Sequence, residues 1–520
     1  MAAQLTSPPT PGSLQRGPAS VARLVLLVAS VGMLLVVGLV EPHAAQPDLA
    51  PRGWAPGVLL PVALSPAAVT ALLWAAYVAG AGAVALGLSR RVGALRSWAV
   101  PAALGALALV TTPFGSADHV SYLAYGRILV TGGDPWTERP VDWGGGADPV
   151  TSRVEAPWTE EPSVYGPFGT LLHGLSALVG GDDLREGVWV WQLLVVLSWL
   201  AVRVLLRRVL PEDAHGRVDV LWTLNPLVLG VGVLGAHIDV VAAALVVAAV
   251  AVAGRWPGPV GALGSGVVAA LAGSTKVTYA VVAVGLLVAW WVTGHRGAGW
   301  ARLAGAHVAG VVVAGAALHV WAGPHVYDQL LRSRQAVSLA MPWRPLLEWG
   351  RDTIGNQPTR LAISIAAAVL AVVLAGCLLR LTRPARRDQA APAVDPVPEG
   401  RLEKRSGTGV VALWVTACLA LAYSLAAPYS LPWYDLLAWC ALPALRAGPV
   451  DLLALVRLLA LALAYVPGRV LGMTPGVEEL TLGVRRGVVP WVGLALWAVV
   501  IAAGVRRGSW PWSAPGRRAS

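Results

Sequence analysis

Residues 116–135 read SADHVSYLAYGRILVTGGDP and directly follow an apolar stretch. The first acid of this run, Asp118, stands where hydropathy places the edge of a membrane, and a carboxylate there is costly unless it serves a purpose. The group suits a general base that takes a proton from an attacking hydroxyl. Helix capping is the competing role, because Ser116 and Asp118 both precede a helically spaced run and Asp is a favoured cap. Tyr122 lies within that run, followed by Gly133-Asp134-Pro135, a turn.

A second constellation is His237 and Asp239 in GVLGAHIDVV, at a hinge between two apolar stretches. An H-x-D pair can hold a metal, position a sugar hydroxyl, or simply cap a tight helical turn. No second ligand cluster accompanies it, so a divalent metal is not favoured and no cofactor is expected. Lys276, one of two lysines in the chain, sits between two further apolar stretches. An ammonium there can pair with a lipid-linked phosphate or snorkel to the interface. Arg332 and Arg334 offer the same charge from a polar segment, with a fork that grips phosphate at two points. Arg457 falls in mid-span, where it serves a function or pairs with a neighbouring helix. Tyr165-Gly166-Pro167 and the corner PYSLPWY, with Trp433 and Tyr434, place aromatic rings where they can stack on a sugar or seat a lipid chain. Aromatic residues also belt membrane interfaces without binding anything.

The elements that must position these residues are membrane helices. The chain has 520 residues, 56% hydrophobic and 13% charged, with a mean hydropathy of +0.64. Many apolar runs are long enough to cross a bilayer, and the alternation that a transmembrane barrel requires is missing. The fold class is an all-α polytopic membrane protein. Fourteen spans are expected, with 12–14 as the range: 22–41, 66–88, 95–113, 186–206, 218–235, 238–254, 259–275, 277–293, 303–321, 361–379, 409–427, 434–447, 449–466 and 489–505. With the N-terminus cytoplasmic, Arg90, Arg91, Arg96, Arg203, Arg207, Arg208 and the run from Arg380 to Arg405 all fall inside, the positive-inside pattern. The net charge of +11 therefore follows topology, and no basic stripe suited to nucleic acid is present. Cys377, Cys418 and Cys440 show neither metal spacing nor a disulfide framework.

The chain divides into a polar leader (1–20), an N-terminal transmembrane block (21–382), a Pro/Arg/Glu-rich cytoplasmic linker (383–408), a C-terminal block (409–506) and a cytoplasmic tail (507–520). The acid-rich segment 113–185 is the largest outer loop. Two short apolar patches in it, 119–131 and 164–179, read as helices lying in the outer interface. A second outer segment, 322–360, carries Arg332 and Arg334. The Arg-rich, Ala/Gly/Val-heavy usage suggests a high-GC bacterium, whose plasma membrane is the expected location. No P-loop, G-x-G-x-x-G, H-E-x-x-H or G-x-S-x-G is present, so a glycosyltransferase with this sequence would take a membrane-borne donor.

Several of these pieces resemble one family. Asp118–Gly126 with Gly133-Asp134-Pro135, Val164-Tyr165-Gly166-Pro167, Asn225-Pro226-Leu227, Gly235-Ala236-His237-Ile238-Asp239, Lys276 and Pro432-Trp433-Tyr434 occur in the order found in actinobacterial polyprenol-phosphate-mannose-dependent α-1,6-mannosyltransferases. Ile238 stands where that family carries Asn, and His119 follows Asp118 where a metal-binding pair would need a second acid. The resemblance implies a GT-C fold and an inverting transfer of mannose from polyprenyl-phosphate-mannose to a growing α-1,6-mannan at the outer face. Asp118 would act as base. Lys276, Arg332 or Arg334 would hold the leaving phosphate, and Tyr122, Tyr165, His237, Asp239, Trp433 and Tyr434 would contact substrate. The implied partners are the lipid-linked donor, a glycan or glycolipid acceptor and the bilayer. Other lipid-linked sugars fit the same scaffold. A flippase or transporter of such sugars is the alternative of another class, and it should show internal repeats and a polar path across the membrane.

Overall fold

Proline and capping side chains set where many helices begin in the computed structural model, which describes residues 18–49, 53–89, 92–333, 335–383, 400–469 and 471–506. The expected tail, and most of the expected leader and linker, lie outside the described residues. Helix α1 spans Pro18–Leu39, α2 Pro66–Leu88 and α3 Ala99–Val110. At the start of α2, Ser65 Oγ accepts from the Ala68 amide at 3.2 Å and Pro66 occupies the first turn, where its missing N–H is no loss. Next come α4 (Asp118–Val130), α5 (Pro167–Gly180) and α6 (Leu184–Val209), the last capped by Asp183, which accepts from the Glu186 amide at 3.0 Å. A bent pair, Glu212–Thr223 and Pro226–Leu234, meets at 40°. The bend falls at Asn225-Pro226, where the Asn225 side chain accepts from the Leu227 and Val228 amides. Thus the Asn-Pro-Leu step restarts a broken helix. The rest of the chain forms α7 (Ile238–Arg255), α8 (Pro259–Thr275), α9 (Val281–Val292), α10 (Gly297–Ala322), α11 (Trp343–Thr353), α12 (Asn356–Leu381), α13 (Gly400–Ala426), α14 (Pro449–Ala464) and α15 (Pro475–Arg506), which passes through a π turn at Val484–Val488.

Among the described residues the structure is helical without a β-strand; a single isolated bridge joins His43 and Gln46. Eight helices are long and apolar enough to cross a membrane, or nine if the bent pair is one span. Three shorter apolar helices, Ala99–Val110, Pro259–Thr275 and Val277–Val292, accompany them. The chain is therefore a multi-helix membrane protein, but the fourteen expected spans are not fourteen long helices. Residues 434–447 differ most. They form short turns between Pro432 and Leu445, with Leu436, Trp439 and Leu442 buried in protein. Apolar composition there serves packing.

Segment 113–185 also differs from expectation. In α4 the residues from His119 to Gly126 are all buried, so this helix is wedged into the protein, not floated on an interface. α5 covers it and exposes Leu171, Leu175, Leu178 and Val179 on its far side. The two helices touch backbone to backbone at Gly126, where a Cβ would overlap the His173 carbonyl. Overpacking of this kind costs about 1–3 kcal/mol. A Gly126→Val protein is expected to lose thermal stability by that amount in detergent, measured by melting, because neither partner is a flexible side chain.

Buried ion pairs brace the bundle. Arg203 and Arg207 share Asp219 at 3.1 and 2.6 Å, with the Leu95 amide donating to the same carboxylate. Arg217 meets Asp451 at 2.9 Å. Arg457 is also paired, to Asp435 at 3.1 Å, and donates to Ser430 Oγ at 2.9 Å. This mid-span cation thus anchors the corner that carries Trp433 and Tyr434. The three cysteines are free and buried, on α12, α13 and the turn after Trp439.

Candidate active site

Asp118 is the first residue of α4, and its amide donates to Ser116 Oγ at 3.2 Å. The helix has no side-chain cap, so the carboxylate is left for other contacts. Its side chain is 16% exposed, against 1% for His237, whose Nδ1 lies 3.5 Å from Asp118 Oδ2. Ser116 Oγ is 3.4 Å from the other ring nitrogen of His237. The imidazole stacks on Trp433 with centroids 3.7 Å apart and planes 14° from parallel. His237 is thus held by Ser116 on one edge and Trp433 on one face, while its buried Nδ1 faces the Asp118 carboxylate without a hydrogen bond.

Local backbone geometry aims this histidine. The π turn Leu229–Leu234 leads into Ala236, the one non-glycine residue with a left-handed φ (53°) among those described. For an L-residue that conformation costs about 1–2 kcal/mol, and it persists where surroundings hold it. Here Trp191 Nε1 donates to the Ala236 carbonyl at 2.7 Å, and Gln192 donates to the Val233 carbonyl at 2.8 Å.

Asp239 turns the other way. It is fully buried in the first turn of α7, and accepts from Lys276 Nζ at 2.7 and 3.0 Å and from the Tyr279 hydroxyl at 2.9 Å. The ammonium of Lys276 lies 3.4 Å from the centroid of Tyr434. His237 and Asp239 therefore diverge, and they do not form a two-residue metal chelate. Among the described residues no group of three or more His, Cys, Asp or Glu could hold a metal.

Aromatic side chains build the wall behind Asp118. Tyr122 is fully buried, stacked on His173 at 4.8 Å and edge-on to Tyr165 and Trp191 at 5.0 and 5.4 Å. Tyr165 is half-buried, and its carbonyl accepts from Trp136 Nε1 at 2.7 Å. Gly166 lets this step lie directly on the Ser274 carbonyl, where any Cβ would overlap. This contact brings Tyr165 beside the segment that carries Lys276. Burial pushes the His119 and His173 imidazoles down to about 3, with His237 and Arg469 contributing at His119. Both rings are neutral near pH 7 and are unsuited to accept a proton there.

Beside His237 opens a small cleft, about 20 Å³ in volume, lined by Tyr77, Phe114, Gly115, Trp433, Tyr465 and Pro467 among others. Two polar segments meet over this end of the bundle. Gln329 donates to Glu161, and Ser338 shares a hydrogen bond with Tyr465 while its amide donates to the Pro428 carbonyl at 3.0 Å. Arg469 grips Glu155 and also donates to the carbonyls of His43 and Gln46 at 2.7 and 2.8 Å.

The structure thus brings Asp118, His237, Asp239, Lys276, Trp433 and Tyr434 together, with Tyr165 adjoining and Tyr122 behind. Arg332 is exposed, its Nε donating to Gln329 Oε1 at 2.7 Å, and Gln329 in turn donates to Glu161. Arg334 lies outside the described residues. Sequence reasoning missed Tyr279 and Asp435, which partner Asp239 and Arg457 respectively. A usable signal existed for Asp435, an acid inside an apolar run, where carboxylates are rare unless partnered. Tyr279 gave none.

A family model described as alpha-(1->6)-mannopyranosyltransferase, N-terminal domain, matches residues 17–293, more than half of the chain. The match includes Asp118, Tyr122, Tyr165, His237, Asp239 and Lys276. Among curated proteins, one from Mycolicibacterium smegmatis named a probable alpha-(1->6)-mannopyranosyltransferase is 34% identical over 147 residues, covering 28% of this chain and 25% of the relative. Alpha-(1->6)-mannopyranosyltransferase A of Mycobacterium tuberculosis is 30% identical over 150 residues, 28% of either chain. Alpha-(1->6)-mannopyranosyltransferase B of Corynebacterium glutamicum is 27% identical over 151 residues, 28% of this chain and 23% of the relative. The matched stretch thus spans about a quarter of each relative's length. No solved structure matches the chain.

Proposed function

Because the chain belongs to the alpha-(1->6)-mannopyranosyltransferase family, we propose that it transfers mannose from polyprenyl-phosphate-mannose to a growing α-1,6-mannan at the outer face of the plasma membrane. The observation that carries this reading is the partly exposed Asp118 carboxylate, with the buried His237 imidazole 3.5 Å away. An acceptor hydroxyl attacks the anomeric carbon as its proton passes to Asp118. The bond from that carbon to the phosphate oxygen breaks, the configuration inverts, and polyprenyl phosphate leaves. His237, wedged between Ser116 and Trp433, keeps the carboxylate in place and is a positioning residue.

Lys276 has a narrower role than a free ammonium would. Two of its contacts go to Asp239, so the pair is electrically neutral. It supplies an oriented dipole, while the half-buried rings of Tyr165 and Tyr434 offer surfaces for a sugar ring. The test is transfer of labelled mannose from polyprenyl-phosphate-mannose to a short α-1,6-mannoside by the purified protein in detergent. New glycan formed with no membrane to cross supports a transferase; no transfer by folded protein sinks the reading and leaves other lipid-linked sugars or transport.

A further inference from the structure

A leaving phosphate needs a cation whose charge is not already spent, and most cations at this end of the bundle are engaged. Lys276 is neutralised by Asp239, and Arg469 by Glu155, with two carbonyls accepting from it as well. Arg344 and Arg351 meet Glu348 and Asp352. Arg332 is exposed on a short helix. Arg485 is different. It lies on the π turn of α15, half-buried, with its Nε donating to the Ala464 carbonyl at 2.6 Å and its guanidinium 4.4 Å from the centroid of Tyr465. Among the described residues no carboxylate meets it, and its terminal nitrogens have no hydrogen-bond partner.

The surroundings of Arg485 lead back to the reaction centre. Tyr465 lines the same cleft as His237 and Trp433. Its hydroxyl meets Ser338, and the Tyr429 ring lies 6.2 Å from that of Tyr434. Burial raises the Tyr429 phenol, with Tyr465 and Asp118 adding to the effect and Arg485 opposing it, so Tyr429 lies within the field of both the carboxylate and the guanidinium. π turns inside α-helices recur at functional sites, because the extra residue re-aims a side chain. Resting on the donor reading above, we propose that Arg485 binds the phosphate of the lipid-linked donor, its two terminal nitrogens facing the phosphate oxygens while Tyr465 backs the guanidinium plane. A fork of this kind suits a phosphate better than an ammonium does. Arg485 lies outside the stretch matched by the family model.

The experiment measures binding of labelled polyprenyl phosphate, without sugar, to the full chain in detergent, alongside donor KM and kcat. Arg485→Gln is expected to raise both Kd and KM about tenfold, the size of one charge-assisted hydrogen bond, with kcat within about twofold. Arg485→Lys, which keeps charge and loses the fork, is expected to fall between. Unlabelled polyprenyl phosphate should displace the probe at concentrations where phosphatidylglycerol or inorganic phosphate does not. Wild-type affinity in both variants overturns the assignment, as it does in Arg485→Lys alone should the Gln variant not fold. Equal displacement by phosphatidylglycerol also overturns it, in favour of a bulk-lipid contact. A wild-type protein that binds no polyprenyl phosphate refutes the donor reading itself.

Discussion

Asp118→Asn is expected to lower mannose transfer by about 10²–10⁴-fold while leaving donor binding nearly unchanged, the range that general-base catalysis contributes. The amide is close in shape to the carboxylate, keeps the α4 start intact and cannot accept the hydroxyl proton. Single-turnover transfer by wild type and variant, with melting as a control for folding, checks it. Because the Asp118 amide, not its side chain, meets Ser116, the substitution leaves that hydrogen bond in place. A variant that keeps the wild-type rate would remove Asp118 from the chemistry and return it to a role at the helix start.

The second large effect is on stability. Lys276→Met leaves the fully buried Asp239 carboxylate with the Tyr279 hydroxyl as its remaining partner. Breaking one half of a buried pair costs about 3–5 kcal/mol, chiefly from the stranded charge. The expected result is a lower melting temperature and poor yield for Lys276→Met. The double variant Lys276→Met with Asp239→Asn should recover much of the loss, since no charge is then stranded. If the single variant melts like wild type, the pair is not what holds the start of α7 to the segment after α8.

Hydropathy reads apolar length, and it does not say whether lipid or protein covers it. This explains why the helical membrane class was legible while the span number was not. Residues 434–447 and 218–235 are as apolar as true spans, yet the first is a set of buried turns and the second is bent at Asn225-Pro226. The Asn-Pro step was itself a readable signal, being a cap followed by a residue that cannot continue the preceding helix. The residues at the site were legible by type and depth: Asp118 after an apolar run, a lone Lys276, rings at Trp433 and Tyr434. Their partners were not. Lys276 finds Asp239 across 37 residues and Arg457 finds Asp435 across 22, and nothing local in the sequence encodes such pairings. For the same reason Lys276 read as a free cation, and Arg485, in a segment that offered no motif, went unnoticed.

The buried cysteines give the molecule a practical property. Cys377, Cys418 and Cys440 are all shielded within the protein, so the native chain presents a thiol-silent surface to a bulky reagent that cannot cross lipid. A single cysteine introduced at exposed Arg153, or at exposed Arg255 beyond the other end of the bundle, would then be the dominant labelled position in intact cells. Which of the two takes up the reagent would fix the orientation of the chain without removing any native residue from its interior.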